Sequence, residues 1–331
     1  MGRKHPVKKK KGRGKKIMLY ILAFIVSFAA SAVFKLKYDP AHGENQKAWN
    51  ENPGTILTDL EYGEGEANKF DLYLPADHTK KNYGLVVYLH PGGFTKGDKS
   101  DDADMCKWLA SKGYVSASIN YTLFSEEHPE ANVYTQSLDI RNAMPYVVKA
   151  AEENGYHVNQ MAMAGGSAGG CLALLYAYRD AEIAPVPVKM VFEAVGPSSF
   201  YPEDWTVYGF DKGTEETNAA AAGLFSTMVG KTITVDMFGT PAYDEAIKDA
   251  SALLWVNENT VPTVMAYGKY DKVQPYLGAV RLDKALSEAG VKHEFIVCEH
   301  SGHGLQNDYR ESETYMEKVE EYLNTYLPVE Q

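Results

Sequence analysis

A glycine-rich turn joins an apolar, strand-like run to a helical run in the middle of the chain. Met161–Ala164 leads into the turn GGSAGG at residues 165–170, and the helical pattern Gly170–Arg179 follows directly. This is a G-x-S-x-G pattern between a strand and a helix. Glycines permit a sharp bend that places Ser167 at a helix N-terminus, where free N–H groups favour a developing negative charge. The pattern predicts an activated serine at the end of a strand.

A glycine-rich turn can also bind phosphate, so the surrounding residues matter. No Lys-Ser or Lys-Thr pair follows the glycines, as a P-loop requires, and the spacing of a dinucleotide-binding fingerprint is absent. The sequence therefore favours a nucleophilic serine over a phosphate site and predicts no cofactor.

Short apolar runs alternate with helical patterns from residue 56 onward. This alternation predicts an α/β fold with a mostly parallel sheet, helices on both faces and the active site at the carboxyl ends of the strands. The predicted strands are Ile56–Tyr62, Phe70–Leu74, Leu85–His90, Val115–Asn120, Met161–Ala164, Val188–Ala194, Thr263–Tyr267 and His293–Val297. The predicted helices are Asp102–Lys112, Gln136–Asn154, Gly170–Arg179, Tyr243–Val256, Tyr276–Ala289 and Asp308–Tyr326.

Residues 197–242 interrupt the alternation. They are rich in aromatic residues and glycine and are long for a simple connection. Two interpretations stay open: a small cap inserted over the site, or an ordinary packed excursion from the core.

A second glycine pair follows another predicted strand. Leu85–His90 ends in Pro91-Gly92-Gly93, and glycines at this place let backbone N–H groups face a site without interference from side chains. Together with the N–H of Ala168, the amides of Gly92 and Gly93 would form an oxyanion hole. The other interpretation is a tight turn that only ends the strand.

Three blocks in this order resemble the signatures of α/β-hydrolase carboxylesterases. They are HPGGF at residues 90–94, NYTLFSEEHPEA at 120–131 and GGSAGG at 165–170. The similarity is greatest to the hormone-sensitive-lipase-like esterases and the feruloyl- and acetyl-xylan-esterase-type enzymes, and it covers about residues 56–325. Two positions depart from the family pattern: Pro91 replaces a glycine, and Thr122 replaces the arginine that usually follows the tyrosine.

The resemblance implies the α/β-hydrolase fold and the chain order nucleophile, acid, base. After Ser167, Asp271 follows the predicted strand Thr263–Tyr267 and matches the family acid. His303 follows the predicted strand His293–Val297 and matches the base, which would take the serine proton while Asp271 orients it.

Other titratable residues compete less well for these roles. His300 is the alternative base, Glu193 and Asp244 are alternative acids, and Cys171 is expected to be buried packing. The pair His300-x-x-His303 lacks a third ligand at suitable spacing, so no metal site is predicted.

The charge of the chain is divided unevenly. Residues 1–16 contain nine Lys and Arg and no acid, which leaves 24 basic against 44 acidic residues in the rest. A body this acidic repels a phosphate backbone, so nucleic acid is not an expected partner. The three cysteines are too few and too far apart for a disulfide scaffold.

The basic N-terminus precedes an uncharged apolar stretch at residues 17–34. This order is typical of a signal peptide, with Ala30-Ser31-Ala32 resembling a cleavage site, or of a membrane anchor. Either interpretation predicts an extracytoplasmic protein, secreted or tethered. Residues 1–34 are thus the targeting segment, 35–55 a linker and 56–331 the catalytic domain.

The sequence predicts a serine carboxylic-ester hydrolase that acts through an acyl-enzyme. Its expected substrates are short acyl esters of small molecules or carbohydrates, because export and 23 tyrosines suit stacking on sugars. The alternatives are a serine peptidase of the same fold and a non-catalytic binding module.

Overall fold

Eight strands form one sheet in the order β1-β2-β4-β3-β5-β6-β7-β8. The structure, a computed structural model, describes residues 49–329. Strand β2 pairs antiparallel with β1 and with β4, and all other neighbours are parallel. The strands are β1 (Thr55–Glu61), β2 (Lys69–Leu74), β3 (Tyr83–Leu89), β4 (Val115–Ile119), β5 (Val158–Gly166), β6 (Val188–Ala194), β7 (Thr263–Gly268) and β8 (His293–Cys298).

Helices connect most of the strands. The α-helices are α1 (Ala103–Ser111), α2 (Val133–Glu153), α3 (Ala168–Arg179), α4 (Glu215–Val229), α5 (Pro241–Ile247), α6 (Tyr276–Glu288) and α7 (Tyr309–Tyr326). Short 3₁₀ helices occupy Lys99–Asp102, Ala181–Ile183, Pro202–Asp204, Thr206–Tyr208, Phe210–Lys212, Val235–Met237 and Ala252–Trp255. All eight predicted strands and five of the six predicted helices agree with these bounds to within three residues, so the predicted α/β architecture is confirmed.

Both faces of the sheet are covered. Along β3, Leu85 and Val87 belong to the larger core cluster, whereas Val86 belongs to a second cluster on the opposite face. Helices α2, α3 and α6 pack into the first cluster, and α1 and α7 into the second. Because side chains alternate along a strand, burial on both faces explains why the strands are apolar without alternation.

The prediction of one helix over Tyr243–Val256 is wrong. Helix α5 ends at Ile247, and a separate 3₁₀ turn begins at Ala252. The Ser251 hydroxyl and the Leu253 N–H both donate to the carbonyl of Ser198. These tertiary hydrogen bonds replace the continuation of the helix, and helical periodicity in the sequence does not reveal them.

Residues 197–242 contain helix α4, which is not among the predicted helices. The Thr214 side chain accepts a hydrogen bond from the Thr217 N–H and so caps its N-terminus. Phe225 of this helix packs edge-on against Trp205 and Phe210, with ring centroids 5.2 and 5.9 Å away. The segment therefore carries an aromatic core of its own.

Arg281 of α6 anchors residues 197–242 to a helix that packs on the sheet. Its guanidinium donates to both carboxylate oxygens of Asp204, at 2.6 and 2.8 Å, and lies over the ring of Tyr201. Asp204 is buried and also accepts a hydrogen bond from the hydroxyl of Ser199.

Trp49 lies in the segment predicted as a linker, yet it is buried with Tyr73, Cys106 and Ala110. Within residues 49–329, no helix is both long and apolar enough to cross a bilayer. The predicted targeting stretch at residues 17–34 lies outside the described residues.

We expect Arg281→Ala to lower the free energy of unfolding by about 2 kcal/mol, because it leaves the buried Asp204 carboxylate without its main partner. Lys284→Ala is the matched control, since Lys284 lies on the same helix in an exposed pair with Glu288 and should cost under about 0.5 kcal/mol. Urea unfolding of both variants measures the difference. Equal losses in the two variants would contradict the anchoring role.

Candidate active site

Ser167 occupies a strained turn between β5 and α3. Its φ of 52° and ψ of −119° are unfavourable for a residue with a side chain. A Cβ on Gly165 would lie 2.5 Å from the carbonyl of Gly169, and a Cβ on Gly169 would lie 1.9 Å from the carbonyl oxygen of Leu89. Only glycine fits at these two positions. The turn is also tied to β6, because the Ser167 N–H donates to the carbonyl of Ala194 at 2.8 Å.

The structure brings the three predicted side chains together. His303 Nε2 lies 2.9 Å from Ser167 Oγ, and His303 Nδ1 lies 2.7 Å from Asp271 Oδ2. These residues come from the loops after β5, β7 and β8, which meet at the carboxyl edge of the sheet. The contacts join residues that are 136 and 32 positions apart in the chain.

The Asp271 carboxylate is held rigidly. Its Oδ1 accepts hydrogen bonds from the backbone N–H groups of Val273 and Gln274, at 2.8 and 2.9 Å. Asp271 is buried, and its Oδ2 is left to face the His303 ring. A carboxylate in this position orients the imidazole and stabilises its protonated form.

Gly92 and Gly93 line the same cavity as Ser167 and His303, which measures about 630 Å³. Their φ values of 133° and 62° turn the chain after β3. Ala168 is the first residue of α3, so its N–H has no acceptor within the helix. The lining residues follow five neighbouring strands, and none of them belongs to residues 197–242.

The competing residues lie elsewhere. The side chain of His300 is 80% exposed, and its Nδ1 contacts Asp308 at 2.8 Å, an interaction that raises the imidazole pKa. Asp244 accepts a hydrogen bond from the hydroxyl of Tyr201. Cys171 is buried, and this burial raises the pKa of its thiol. Between residues 49 and 329, no group of three or more His, Cys, Asp or Glu side chains is arranged to hold a metal ion.

Two supporting residues were not identified from the sequence. Asp308 accepts hydrogen bonds from the His300 N–H and the Ser301 hydroxyl, and so braces the loop that carries His303. The buried amide of Gln136 donates to the carbonyls of Phe94 and Thr122 and so links the first two signature blocks. The Gln136 contacts join two separate loops, whereas the Asp308 contacts fold one loop back on itself, and no sequence motif marks either arrangement.

The family departures leave these loops intact. The N–H of Thr122, where the family has arginine, donates to Asp139 Oδ2 at 2.8 Å. The carbonyl of Pro91 contacts Nδ1 of His90, whose ring stacks on Tyr121 with centroids 4.2 Å apart.

Glu193 lies buried beneath the serine turn. It pairs in register with Gly165, and its Oε2 accepts a hydrogen bond from the Gly196 N–H at 2.8 Å. Its Oε1 has no hydrogen-bond partner among residues 49–329. Burial raises the pKa of this carboxyl to about 8, so its neutral form prevails at neutral pH. Glu193 therefore does not replace Asp271 as the partner of His303.

Comparison with known protein families decides the classification. The BD-FAE family model matches residues 70–286, about two thirds of the chain. The chain belongs to the BD-FAE family. The match includes Gly92, Gly93, Ser167 and Asp271, and the resemblance to α/β-hydrolase carboxylesterases is confirmed.

A curated relative is the protein named probable carboxylic ester hydrolase LipM of Mycobacterium tuberculosis. It is 27% identical over 223 residues, which cover 66% of this chain and 48% of LipM. The chain thus spans about half the length or less of the curated relatives it matches.

Solved esterase structures share the fold. The propionate-bound esterase Est2 of Thermogutta terrifontis has a TM-score of 0.63 at 18% identity, with 84% of this chain and 96% of that chain covered. A truncated carbohydrate esterase from gut microbiota has a TM-score of 0.60 at 18% identity, with 81% and 96% covered. These matches confirm the α/β-hydrolase fold.

The pKa of Glu193 predicts how stability depends on pH. In the unfolded chain this carboxyl loses its proton near its ordinary pKa of 4.5, whereas the folded protein keeps the proton up to about pH 8. Stability should therefore fall as pH rises through this interval. Glu193→Gln removes the ionisable group, so it should match the wild type near pH 4.5 and exceed it by on the order of 3 kcal/mol at pH 8.

Unfolding free energies measured from pH 4.5 to 8 test this expectation. Glu182→Gln is the control, because Glu182 is exposed and its substitution should leave the pH profile unchanged. A constant difference between wild type and Glu193→Gln at every pH would exclude a neutral Glu193.

Proposed function

We propose that this protein hydrolyses carboxylic esters through an acyl-enzyme on Ser167. The hydrogen-bonded series Ser167–His303–Asp271 carries the proposal: both contacts are under 3 Å, and Ser167 and His303 line one cavity. Membership of an esterase family and the likeness to LipM support it.

In the first step, Ser167 Oγ attacks the ester carbonyl while His303 Nε2 takes its proton. The amides of Gly92, Gly93 and Ala168 hold the negative oxygen of the tetrahedral intermediate. The carbon–oxygen bond then breaks, and His303 returns the proton to the departing alcohol. Water, activated by His303, attacks the acyl-enzyme and releases the acid, which restores Ser167.

We propose short acyl esters, including those of acylated carbohydrates, as the substrate class. Tyr208 and Tyr270 are 45% and 65% exposed, and the Tyr208 hydroxyl donates to the carbonyl of Val273, a residue that lines the cavity. Exposed aromatic rings beside a site suit stacking on sugars. The propionate bound to Est2 and the carbohydrate esterase neighbour agree with this class.

The proposed setting is extracytoplasmic, with residues 17–34 directing export and contacting the membrane if they are retained. Residues 197–242 then form a small cap at one side of the cavity mouth. The support for this placement is the contact of Tyr208 with Val273.

We expect Ser167→Ala to lower kcat on 4-nitrophenyl acetate by about 10⁴-fold or more, since members of such a series act as a unit. Exposed Ser287→Ala is the control and should keep wild-type activity. Labelling by an organophosphate, followed by peptide mass analysis, should modify Ser167 in the wild type. Retained turnover in Ser167→Ala would refute the mechanism, and a folded protein that neither reacts nor turns over would be a binding module.

A series of nitrophenyl esters from acetyl to long chains tests the substrate class. Specificity constants should fall beyond short acyl groups, and acetylated xylan should release acetate only with intact Ser167. Anilides run in parallel separate esterase from peptidase activity. Preference for long chains, or for amides, would overturn the proposed class.

A further inference from the structure

Lys96 is the one lysine or arginine among the residues that line the cavity between positions 49 and 329. The other lining residues are small, apolar or hydroxyl-bearing, apart from His303, and none is a carboxylate. The exposed side chain of Lys96 therefore brings a positive charge to the wall of the cavity.

The backbone holds Lys96 close to the proposed oxyanion hole. Its N–H donates to the Gly92 carbonyl at 3.2 Å, and a Cβ on Gly92 would lie 1.8 Å from the Lys96 carbonyl oxygen. On its other side, Gly97 has φ of 112° and packs against His90. The turn therefore fixes the Lys96 backbone, and only its side chain is free to move.

Lys96 has no ion pair with any residue of the described range. Lys99, three positions later, contrasts with it: this lysine is buried, and its ammonium contacts Asp59 at 2.9 Å and Asp71 at 3.1 Å. One lysine of the loop is thus committed to a structural ion cluster, whereas the exposed one keeps its charge available at the cavity.

Because the chain is acidic, a single cation at the cavity affects whether an anionic substrate binds there. An ester with a carboxylate is repelled at long range by a protein of net charge −11, and a cation at the site offsets this repulsion. We propose, on the basis of the ester hydrolysis proposed above, that Lys96 binds a carboxylate of the substrate. The cavity then accepts monoanionic esters.

Two sources of that carboxylate share this chemistry. It belongs either to the acyl part, as in a half-ester of a dicarboxylic acid, or to the alcohol part, as in an acylated sugar acid. Monomethyl succinate against methyl butyrate tests the acyl part. The acetate of 4-hydroxybenzoic acid against the acetate of its methyl ester tests the alcohol part.

The experiment measures kcat/KM for both esters of each pair by acid release at constant pH. The readout is the ratio of kcat/KM for the charged ester to kcat/KM for the neutral ester. Lys96→Met should lower this ratio about fivefold in one of the two pairs, as expected for an exposed ion pair of about 1 kcal/mol. Lys96→Glu should lower it further, and Lys96→Arg should restore it. The effect should shrink between about 0.02 M and about 0.5 M NaCl, because salt screens exposed charges.

Lys81→Met is the matched control, since Lys81 is exposed and precedes β3, at the end of the sheet opposite the cavity. An unchanged ratio in both pairs, or an equal change in Lys81→Met, would overturn the role of Lys96. If the wild-type protein hydrolysed neither the charged nor the neutral esters, ester hydrolysis itself would be refuted. Turnover of neutral esters that depends on Ser167, with an unchanged ratio, would refute the Lys96 subsite alone.

Discussion

The site depends on the close approach of the Ser167 turn to its neighbours. The space between Leu89 and Gly169 admits no side chain, and Gly165 meets the start of the following helix in the same way. The strained backbone at Ser167 persists because these contacts and the bond to Ala194 leave it no alternative. The positions of the hydroxyl, of the helix amides and of the cavity wall all follow from this packing.

Much of the architecture could be predicted because its determinants are local. Continuous apolar runs identify buried parallel strands, and glycines in fixed positions identify the turns between them. The prediction of one helix over Tyr243–Val256 is wrong because Ser251 and Leu253 donate hydrogen bonds to the carbonyl of Ser198 instead of continuing the helix. Helix α4 was not predicted because its run of four alanines, Ala219–Ala222, gives little contrast between an apolar and a polar face.

In the site, too, some features can be predicted from local sequence and others depend on tertiary contacts. Motifs and chain order identify Ser167, Asp271 and His303, and the structure places them in contact. Gln136 stabilises the loops after β3 and β4 across 42 and 14 positions, and Asp308 stabilises the loop after β8 from within it; neither bond leaves a pattern in a single sequence. The burial of Glu193 likewise depends on which strands become neighbours.

The cavity wall is built from the loops at five strand ends, and the aromatic segment at 197–242 supplies none of the lining. The cap proposed for residues 197–242 therefore stands beside the cavity, and the described residues leave the approach to the Ser167 hydroxyl open. We therefore expect a bulky ester to reach this hydroxyl without a prior movement of the segment, so that opening of a lid does not limit the rate of the reaction. For the acylated carbohydrates proposed as substrates, an open site of this kind admits ester groups within a chain as well as at its end.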